Sequence, residues 1–189
     1  YFIMKKVDLI IILDTLTAEG CPILALNLVD EFKKRNINIL LLTFNDHNNE
    51  LLDAFKEKNI LIKSYSLNYN SFFKYFKIIF YTYQIAFKYK PTSILCFPFG
   101  WHSLVAIAAK IAGVKKICTH AGNLAPKKLT KNFWKLNFLI QIGRPFTYKI
   151  ICCSKYIEDS IVSSFSLSKL ETKFIYNCFD EKKFSFKNK

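Results

Sequence analysis

Glycine and proline are scarce, at five residues each in a chain of 189. That scarcity argues against a fibrous or loop-rich protein. Three glycine motifs are also missing: G-x-G-x-x-G after the first apolar run, G-x-x-x-x-G-K-[ST], and G-x-S-x-G. Their absence weighs against a standard dinucleotide-binding site, a Walker-type ATPase and the nucleophile elbow of α/β-hydrolases.

Patterns for metal binding and for disulfides are missing as well. The three histidines, at positions 47, 102 and 120, do not have metal-ligand spacing. The six cysteines form no C-x-x-C pair, and several lie inside apolar runs. Free cysteine commonly behaves as a small core residue, and a reduced cytoplasmic chain is the simplest interpretation. We therefore expect no metal and no cofactor.

Arginine is nearly absent, with only Arg35 and Arg144, so lysine supplies most of the net charge of +14. Such an excess favours anionic partners, although lysine-rich composition alone explains it equally well. Arginine is the preferred fork for bases and phosphates, so we expect no nucleic acid partner. The first apolar run, Val7–Leu13, is too short to span a membrane. The expected location is cytoplasmic, with peripheral attachment to the inner face of a membrane left open.

Apolar runs and amphipathic stretches alternate along the chain, and 51% of the residues are hydrophobic. The predicted strands are 7–13, 37–44, 60–65, 92–97, 116–119, 150–153 and 173–176. The predicted helices are 22–35, 50–58, 71–90, 103–112, part of 132–148, and 155–163. This alternation predicts an α/β fold, a Rossmann-like parallel sheet with helices on both faces.

Ligands of such folds bind beyond the carboxyl ends of the strands. The residues that directly follow the predicted strands are therefore the candidate site. They are Asp14–Cys21, Asn45–His47, Pro98–His102, His120–Asn123 and Ser154. The site residues selected within these segments are Gly20, Cys21, His102, His120, Asn123 and Ser154.

Several segments, taken in order, resemble those of family 4 glycosyltransferases. Asp14–Cys21, followed by a helix containing Ala25–Phe32, is similar to the Gly-Gly loop and helix that open that family. Lys90–Leu95 resembles its K-P-D-V-V strand, and Lys116–Asn123 resembles its strand ending in histidine.

Two later segments extend the resemblance to almost the whole chain. Ile150–Lys155 is similar to the family's V-x-V-S-x segment, and Phe174–Asp180, with Phe184, is similar to V-I-Y-N-G-V-D…F. Cys21 and Cys178 replace the usual second loop glycine and the linker glycine. Because only glycine enters positive φ at little cost, the Cys21 change argues against close phosphate approach at this loop.

The resemblance implies the N-terminal, acceptor-side half of a GT-B glycosyltransferase that transfers a hexose-type sugar with retention. The donor would be a nucleotide sugar, and a lipid-linked saccharide is the expected acceptor. Residues 1–176 would form this domain and 177–189 an interdomain linker. The E-x7-E pair of the C-terminal donor domain does not occur in the chain, so that domain is expected in cis or in trans.

The resemblance also implies roles for the candidate residues, each beside a plainer structural one. His120 is the candidate catalytic residue, as a hydrogen-bond partner of the transferred sugar or acceptor; the alternative is a turn histidine. Gly20 is expected in an acceptor loop or in a simple strand–helix turn. His102 is expected either to contact the acceptor or to begin a helix and pack on Trp101. Ser154 is expected mainly to cap a helix, with an acceptor contact as its secondary role.

The predicted helix 71–90 is apolar almost all round. One stripe, expected to cover the sheet, comprises Phe72, Phe73, Phe76, Ile79, Phe80, Tyr83, Ala86 and Phe87. A second set, Tyr75, Ile78, Ile85 and Tyr89, is bordered by lysines and is expected either in the core or against an anionic membrane. Two alternative functions stay open: a non-catalytic flavodoxin-like binding module and a basic nucleic-acid-binding domain.

Overall fold

The computed structural model of the chain describes residues 6–45, 49–68 and 70–177. Seven strands and six α-helices alternate through these residues. The strands are β1 (Leu9–Leu13), β2 (Ile39–Thr43), β3 (Leu61–Ser64), β4 (Ser93–Cys96), β5 (Lys116–Ala121), β6 (Lys149–Cys152) and β7 (Thr172–Phe174). The helices are α1 (Gly20–Lys34), α2 (Leu52–Glu57), α3 (Lys74–Tyr89), α4 (His102–Ile111), α5 (Lys131–Gly143) and α6 (Lys155–Phe165). The predicted α/β fold is confirmed.

The strands form one parallel sheet in the order β3-β2-β1-β4-β5-β6-β7. The order reverses between β1 and β4, which pair directly, Leu9 with Ser93 and Ile12 with Cys96. Strands β1 and β2 are wholly buried, as expected for central strands covered on both faces. A crevice therefore opens at the carboxyl ends of β1 and β4, where open α/β sheets bind ligands.

Two layers of helices cover the sheet because alternate residues of each strand point to opposite faces. Ile11 of β1 packs with Ala25 and Val29 of α1. Its neighbour Ile10 belongs to the cluster on the other face, with Ile85 of α3 and others. Helices α5 and α6 form a third cluster with β5 and β6 at the far end of the sheet.

Side chains and glycines define where several elements begin and end. Ser154 Oγ accepts a hydrogen bond of 3.2 Å from the backbone N–H of Ile157, so the predicted cap of α6 is confirmed. Gly113, directly after α4, has a φ of 91°, the left-handed conformation common after helix ends. Helix α5 ends at Gly143 and a short 3₁₀ helix, Arg144–Phe146, follows, as the glycine and proline there predicted.

Most of α3 is turned the opposite way from the sequence prediction: Ala86 of the first stripe is buried as predicted, but Ile78 and Ile85 of the second set lie in the core and not against a membrane. Ile78, Thr82, Ile85 and Ala86 face the core and are almost fully buried. The stripe of large aromatic residues points to solvent instead. The reason is size, because isoleucine, threonine and alanine let α3 approach the sheet and α4 more closely than phenylalanine would.

We call the exposed stripe the α3 aromatic face. It comprises Phe72, Phe73, Phe76, Phe80, Tyr83 and Phe87, of which Phe72 is 71% and Phe87 57% exposed. Four of them, Phe73, Phe76, Phe80 and Tyr83, border an apolar groove of about 700 Å³ together with Ile111 of α4. No helix among the described residues is long and apolar enough to cross a bilayer.

Candidate functional site

The crevice between β1 and β4 contains an open cavity of about 410 Å³. Its walls come from the end of β1, the loop to α1 and the segment after β4. The lining residues are Leu13, Asp14, Thr15, Thr17, Glu19, Cys21, Pro22, Phe97 and Pro98. Among the described residues that line it, two are acidic and none is cationic. We call this cavity the β1–β4 cleft.

The loop between β1 and α1 is held in place by contacts with the segment before α2. Leu16 is fully buried, and its carbonyl accepts a hydrogen bond from the backbone N–H of Leu51. The Glu50 carboxylate accepts a 2.8 Å hydrogen bond from the Ala18 N–H, and the Thr15 and Thr17 hydroxyls lie 2.8 Å apart. The wall of the cleft is therefore formed before any ligand binds.

His120, on β5, lies directly behind this wall. Its Nδ1 is 4.0 Å from the Cys21 Sγ, and its ring centroid is 5.1 Å from that of Phe97. Both contacted residues line the β1–β4 cleft. The His120 side chain is 7% exposed, and its Nε2 makes no hydrogen bond to any described residue. A buried ring nitrogen without a partner is costly, and this one lies behind the wall of the cleft, not in its lining.

Burial sets the charge state of both groups. Desolvation lowers the pKa of His120, and an interaction with the Asn177 side chain opposes that change only in part. The ring is therefore neutral at pH 7, so it offers one nitrogen as donor and one as acceptor. Burial, with Cys153 and Glu19 nearby, raises the pKa of Cys21. Cys21 is accordingly a neutral thiol, and an activated nucleophile is not expected there.

Gly20, His120 and Asn123 were predicted to converge at the carboxyl edge of the sheet. Cys21, the neighbour of Gly20, contacts His120 there. Gly20 is the first residue of α1, and a Cβ added to it would meet no atom within 4 Å. Asn123 follows β5 at the same edge and is exposed. Ser154 begins α6, beyond β6, where its hydroxyl is engaged in the helix cap.

His102 does not belong to the open site. It is 1% exposed, its ring stacks on Phe99 at 5.3 Å, and its Nδ1 accepts a 3.0 Å hydrogen bond from the Gly100 N–H. Gly100 has a φ of 97°, which glycine adopts at little cost, and the histidine closes this turn before α4. His102 is the first residue of α4, as its structural alternative predicted, and its ring packs on Phe99. Contact with an acceptor stays a prediction.

The sequence placed Asp14–Cys21 at the ligand-binding edge, but Asp14 and Glu19 were not singled out within that segment, and Phe97 was predicted as the end of a strand. Each follows a central strand closely, which is the signal that would have found them. Their importance depends on the strand order, because the switch between β1 and β4 is visible only once the sheet is assembled.

A group of basic residues lies at the other edge of the sheet. In parallel βα units each helix runs back from the carboxyl edge, so the helix ends lie opposite the cleft. Basic residues at or just after the ends of α1 to α4 are Lys33, Lys34, Arg35, Lys56, Lys58, Lys88, Lys90, Lys110, Lys115 and Lys116. The cleft itself is acidic in a chain that is basic as a whole.

Within the described residues no three histidine, cysteine or acidic side chains are grouped so that they could hold a metal ion. The linker region expected from Asn177 onward falls almost entirely outside the described residues, as do Cys178, Asp180 and Phe184.

No protein-family model and no curated protein sequence matches the chain. Solved structures match it by fold. HepE of Anabaena, in complex with UDP and glucose, gives a TM-score of 0.72 at 16% identity, covering 93% of this chain and 46% of its own. The lipopolysaccharide outer core galactosyltransferase WaaB gives 0.71 at 18% identity, covering 91% and 46%.

A UDP-N-acetylglucosamine 2-epimerase from Rickettsia bellii also matches, with a TM-score of 0.62 at 13% identity over 92% of this chain and 45% of that one. The chain thus spans a little under half the length of these three structures. At these identities the likeness shows the fold: the domain is one Rossmann-like half of a GT-B fold. It does not distinguish family 4 from other GT-B families.

Proposed function

We propose that the chain is the acceptor-side half of a family 4-type GT-B glycosyltransferase, which transfers a hexose from a nucleotide sugar to a saccharide with retention. One observation supports this most strongly. A buried histidine with an unpartnered Nε2 stands behind an open cleft at the switch point between β1 and β4. The order of the sequence motifs and the GT-B fold of the domain agree with it.

In this proposal His120 binds the transferred sugar or the acceptor. Its neutral ring donates to or accepts from a sugar hydroxyl through Nε2, which removes the cost of a buried unsatisfied nitrogen. A hydrogen-bonding role suits a retaining transferase better than proton abstraction from the acceptor.

The acceptor would occupy the β1–β4 cleft. Gly20 presents open space at the start of α1, and Cys21 and Phe97 provide apolar contacts. Asn123 and Ser154 lie at the same edge and would contact the more distant part of a saccharide. The donor diphosphate would be held mainly by the second half of a GT-B enzyme, because the described residues that line the cleft include no cation to neutralise it.

We further propose that the α3 aromatic face attaches the protein to an anionic membrane, on its cytoplasmic side, where a lipid-linked acceptor is found. Soluble monomers rarely expose contiguous apolar patches of this kind. The face is flanked by Lys74, Lys77, Lys88 and Lys90, and Lys110 follows on α4. Each lysine near an anionic leaflet contributes about 1 kcal/mol, and the aromatic rings add apolar burial.

The test of the transferase proposal uses this chain joined to the C-terminal half of a matched glycosyltransferase, with folding verified by circular dichroism. The joined protein is incubated with UDP-hexoses and saccharide acceptors, and products are identified by mass spectrometry and NMR. A new glycosidic bond with the anomeric configuration of the donor is expected. Because 2-epimerases share the fold, conversion of UDP-N-acetylglucosamine to its epimer without an acceptor would replace the transferase assignment.

A further inference from the structure

The acidic residues of the chain are unevenly distributed along its sequence. All 14 lie before residue 58 or after residue 157, so the 100 residues between contain no carboxylate side chain. The same stretch contains 16 of the 28 lysines and arginines. Helices α3, α4 and α5 all belong to it, and they pack side by side, α3 against α4 and α4 against α5. This layer of three helices is therefore the basic side of the domain.

Helix α5 has apolar residues on its outer side as well as on its inner side. The inner side is buried and includes Phe133 and Ile140. Trp134, Phe138 and Ile142 recur at intervals of four residues, so they share the opposite side of the helix. They are 57%, 65% and 41% exposed. A single exposed apolar side chain is ordinary, whereas a contiguous row of them marks an interaction surface.

The loop before α5 adds an exposed leucine to this row. Leu129 is 85% exposed and has a φ of 73°, a left-handed conformation that is unfavourable for leucine. The neighbouring Thr130 hydroxyl fixes the loop. It donates a 2.8 Å hydrogen bond to the Lys127 carbonyl and accepts one of 3.2 Å from the Phe133 N–H. The loop is thus held in a shape that presents an apolar side chain to solvent at the start of α5.

Four lysines accompany these apolar residues. We call the whole surface the α5 face, and it comprises Leu129, Trp134, Phe138 and Ile142 with Lys127, Lys128, Lys131 and Lys135. Among the described residues, none of these four lysines forms an ion pair with a carboxylate. The Lys135 ammonium lies 5.8 Å from the centre of the Tyr75 ring, so the first turns of α5 and α3 are neighbours. The α5 face therefore adjoins the α3 aromatic face.

The composition of the α5 face fits an anionic lipid surface better than another protein chain. Tryptophan is enriched at membrane–water interfaces, because its ring has a large apolar body and one N–H donor. Lysines that border such rings are attracted to an anionic leaflet, and their long side chains reach the headgroups. Protein–protein interfaces are instead depleted in lysine. Aromatic and leucine side chains flanked by lysines are typical of helices that lie in a membrane interface.

We infer that the α5 face is a second contact with an anionic bilayer, beside the α3 aromatic face, and that the two contacts together turn the carboxyl end of β5 toward the lipid. This inference rests on the membrane attachment proposed above. The α5 face begins in the loop that follows β5, and His120 lies on that strand. One contact alone would let the domain rotate about it, whereas two contacts hold its orientation. A lipid-linked acceptor would then reach the site from the membrane surface.

Trp134 is itself the probe for this contact. The chain contains two tryptophans, so Trp101→Phe leaves Trp134 as the only one. The folded variant is mixed with vesicles of phosphatidylcholine and phosphatidylglycerol, with and without bromine on the acyl chains. We expect the Trp134 emission to shift to shorter wavelength and to be quenched by the brominated lipid. If Trp101→Phe melts below the parent, the difference between the emission of the parent and that of Trp134→Phe gives the same signal.

Co-sedimentation of variants tests the apolar part of the α5 face. Leu129→Ser combined with Phe138→Ser should weaken binding to anionic vesicles about tenfold or more, because two exposed apolar side chains no longer enter the interface. Both side chains are exposed, so the fold is expected to stay intact by circular dichroism. Leu170→Ser is the matched control, since Leu170 is 82% exposed and lies outside the acid-free stretch. It should bind as the parent does.

A second pair of variants tests the charged part. Lys127→Gln combined with Lys131→Gln should weaken binding and reduce its dependence on salt, because the lysines interact with the anionic headgroups. Lys169→Gln combined with Lys173→Gln is the matched control. These two lysines are exposed but lie on either side of Glu171, outside the acid-free stretch. Their removal should leave the salt dependence of binding unchanged.

The outcomes separate this inference from the proposals on which it rests. Vesicle binding without a shift or quenching of Trp134, or α5 variants that bind as tightly as the parent, would overturn the second contact and leave attachment through α3 standing. Absence of vesicle binding by the parent would overturn both contacts. A dimer in solution that Leu129→Ser with Phe138→Ser converts to a monomer would assign the α5 face to a second copy instead. Failure of sugar transfer by a joined enzyme whose Trp134 is still quenched would contradict only the transferase proposal.

Discussion

The Cys21 thiol lies 4.0 Å from the His120 imidazole, although 99 residues separate them along the chain. Cys21 is the second residue of α1, which follows β1, and His120 belongs to β5. Strand β4 lies between β1 and β5 in the sheet. This contact brings the β1–α1 loop and the end of β5 to one place. It therefore defines the candidate site more directly than any single motif does.

His102 predicts a pH dependence of stability. Burial lowers the pKa of His102 to about 3, whereas an unfolded histidine titrates near 6.5. Between these pH values His102 is protonated in the unfolded chain but not in the folded one. Its contribution to the free energy of unfolding is therefore fully present above pH 6.5 and is lost as the pH falls. The expected slope is about 1.4 kcal/mol per pH unit from this residue.

Urea unfolding between pH 7 and pH 5 measures that slope. His102→Asn should reduce it, because asparagine can still accept a hydrogen bond but does not titrate. His120, whose pKa is also lowered, adds to the slope in the same direction. The lowered pKa values of Glu158 and Glu171 act only at lower pH, below the usual range of glutamate. An unchanged slope in the His102 variant would refute the assignment.

We expect the stability of the domain to depend strongly on side-chain size at position 143. An added Cβ would lie 2.7 Å from the Cα and 2.3 Å from the Oγ of Ser103, so α5 and α4 would have to separate. Gly143→Ala should therefore cost about 1–3 kcal/mol of the free energy of unfolding. Thermal and urea unfolding of the variant provide the measurement.

Gly20→Ala is the matched control, since its Cβ would enter open space. Its stability should stay within about 0.5 kcal/mol of the parent. In the joined enzyme the same methyl group would narrow the acceptor side of the cleft, so the acceptor KM should rise. Equal destabilisation by both alanines would show that the α4–α5 contact is not as close as the structure indicates.

The sheet was predictable from sequence, whereas the surroundings of particular side chains were not. Continuous apolar runs predicted all seven strands within a few residues, because a central parallel strand is buried on both faces. The predicted buried face of α3 was wrong for a physical reason. A helix with apolar residues all round has no single hydrophobic face, so the periodicity of the sequence does not show whether Phe80 or Ile85 faces the core.

The surroundings of His102 were not predictable for a related reason. Its place after β4 correctly put it at the carboxyl edge, but whether the ring points outward depends on the turn at Gly100. The acidity of the cleft was likewise hidden, since Asp14 and Glu19 are ordinary residues in a chain with a net charge of +14. Only the strand order places them around one cavity.

The α3 aromatic face predicts binding to anionic vesicles. Co-sedimentation should increase with the anionic lipid fraction and decrease with salt. Replacing Phe76 and Phe80 with serine should weaken binding by about tenfold or more, as expected when well-exposed apolar side chains no longer enter the interface. The double variant Lys77→Gln with Lys88→Gln should reduce mainly the salt-dependent part of vesicle binding.

Leu170→Ser is the control for the vesicle experiment, because Leu170 is 82% exposed but lies far along the chain, before β7. Its binding should equal that of the parent. Equal binding to neutral and anionic vesicles, or loss of binding in the Leu170 variant alone, would contradict attachment through α3.

The 189-residue chain by itself is predicted to transfer no sugar. In the proposed function its cleft positions an acceptor, but the lining residues that the structure describes include no cation to stabilise a leaving diphosphate. Positioning of donor against acceptor across two domains can supply roughly 7–11 kcal/mol of the barrier at best. Turnover by the isolated chain comparable to that of the joined form would show that the roles of the two halves are misassigned.

The most direct measurement is the kcat/KM for sugar transfer by the joined enzyme with His120→Ala, compared with the parent and with His102→Asn. Loss of a hydrogen bond to the substrate should lower kcat/KM by roughly five- to tenfold or more, with the fold intact by circular dichroism. His102→Asn should retain transfer activity, because that ring is buried away from the cleft. Full transfer activity in His120→Ala would contradict the account.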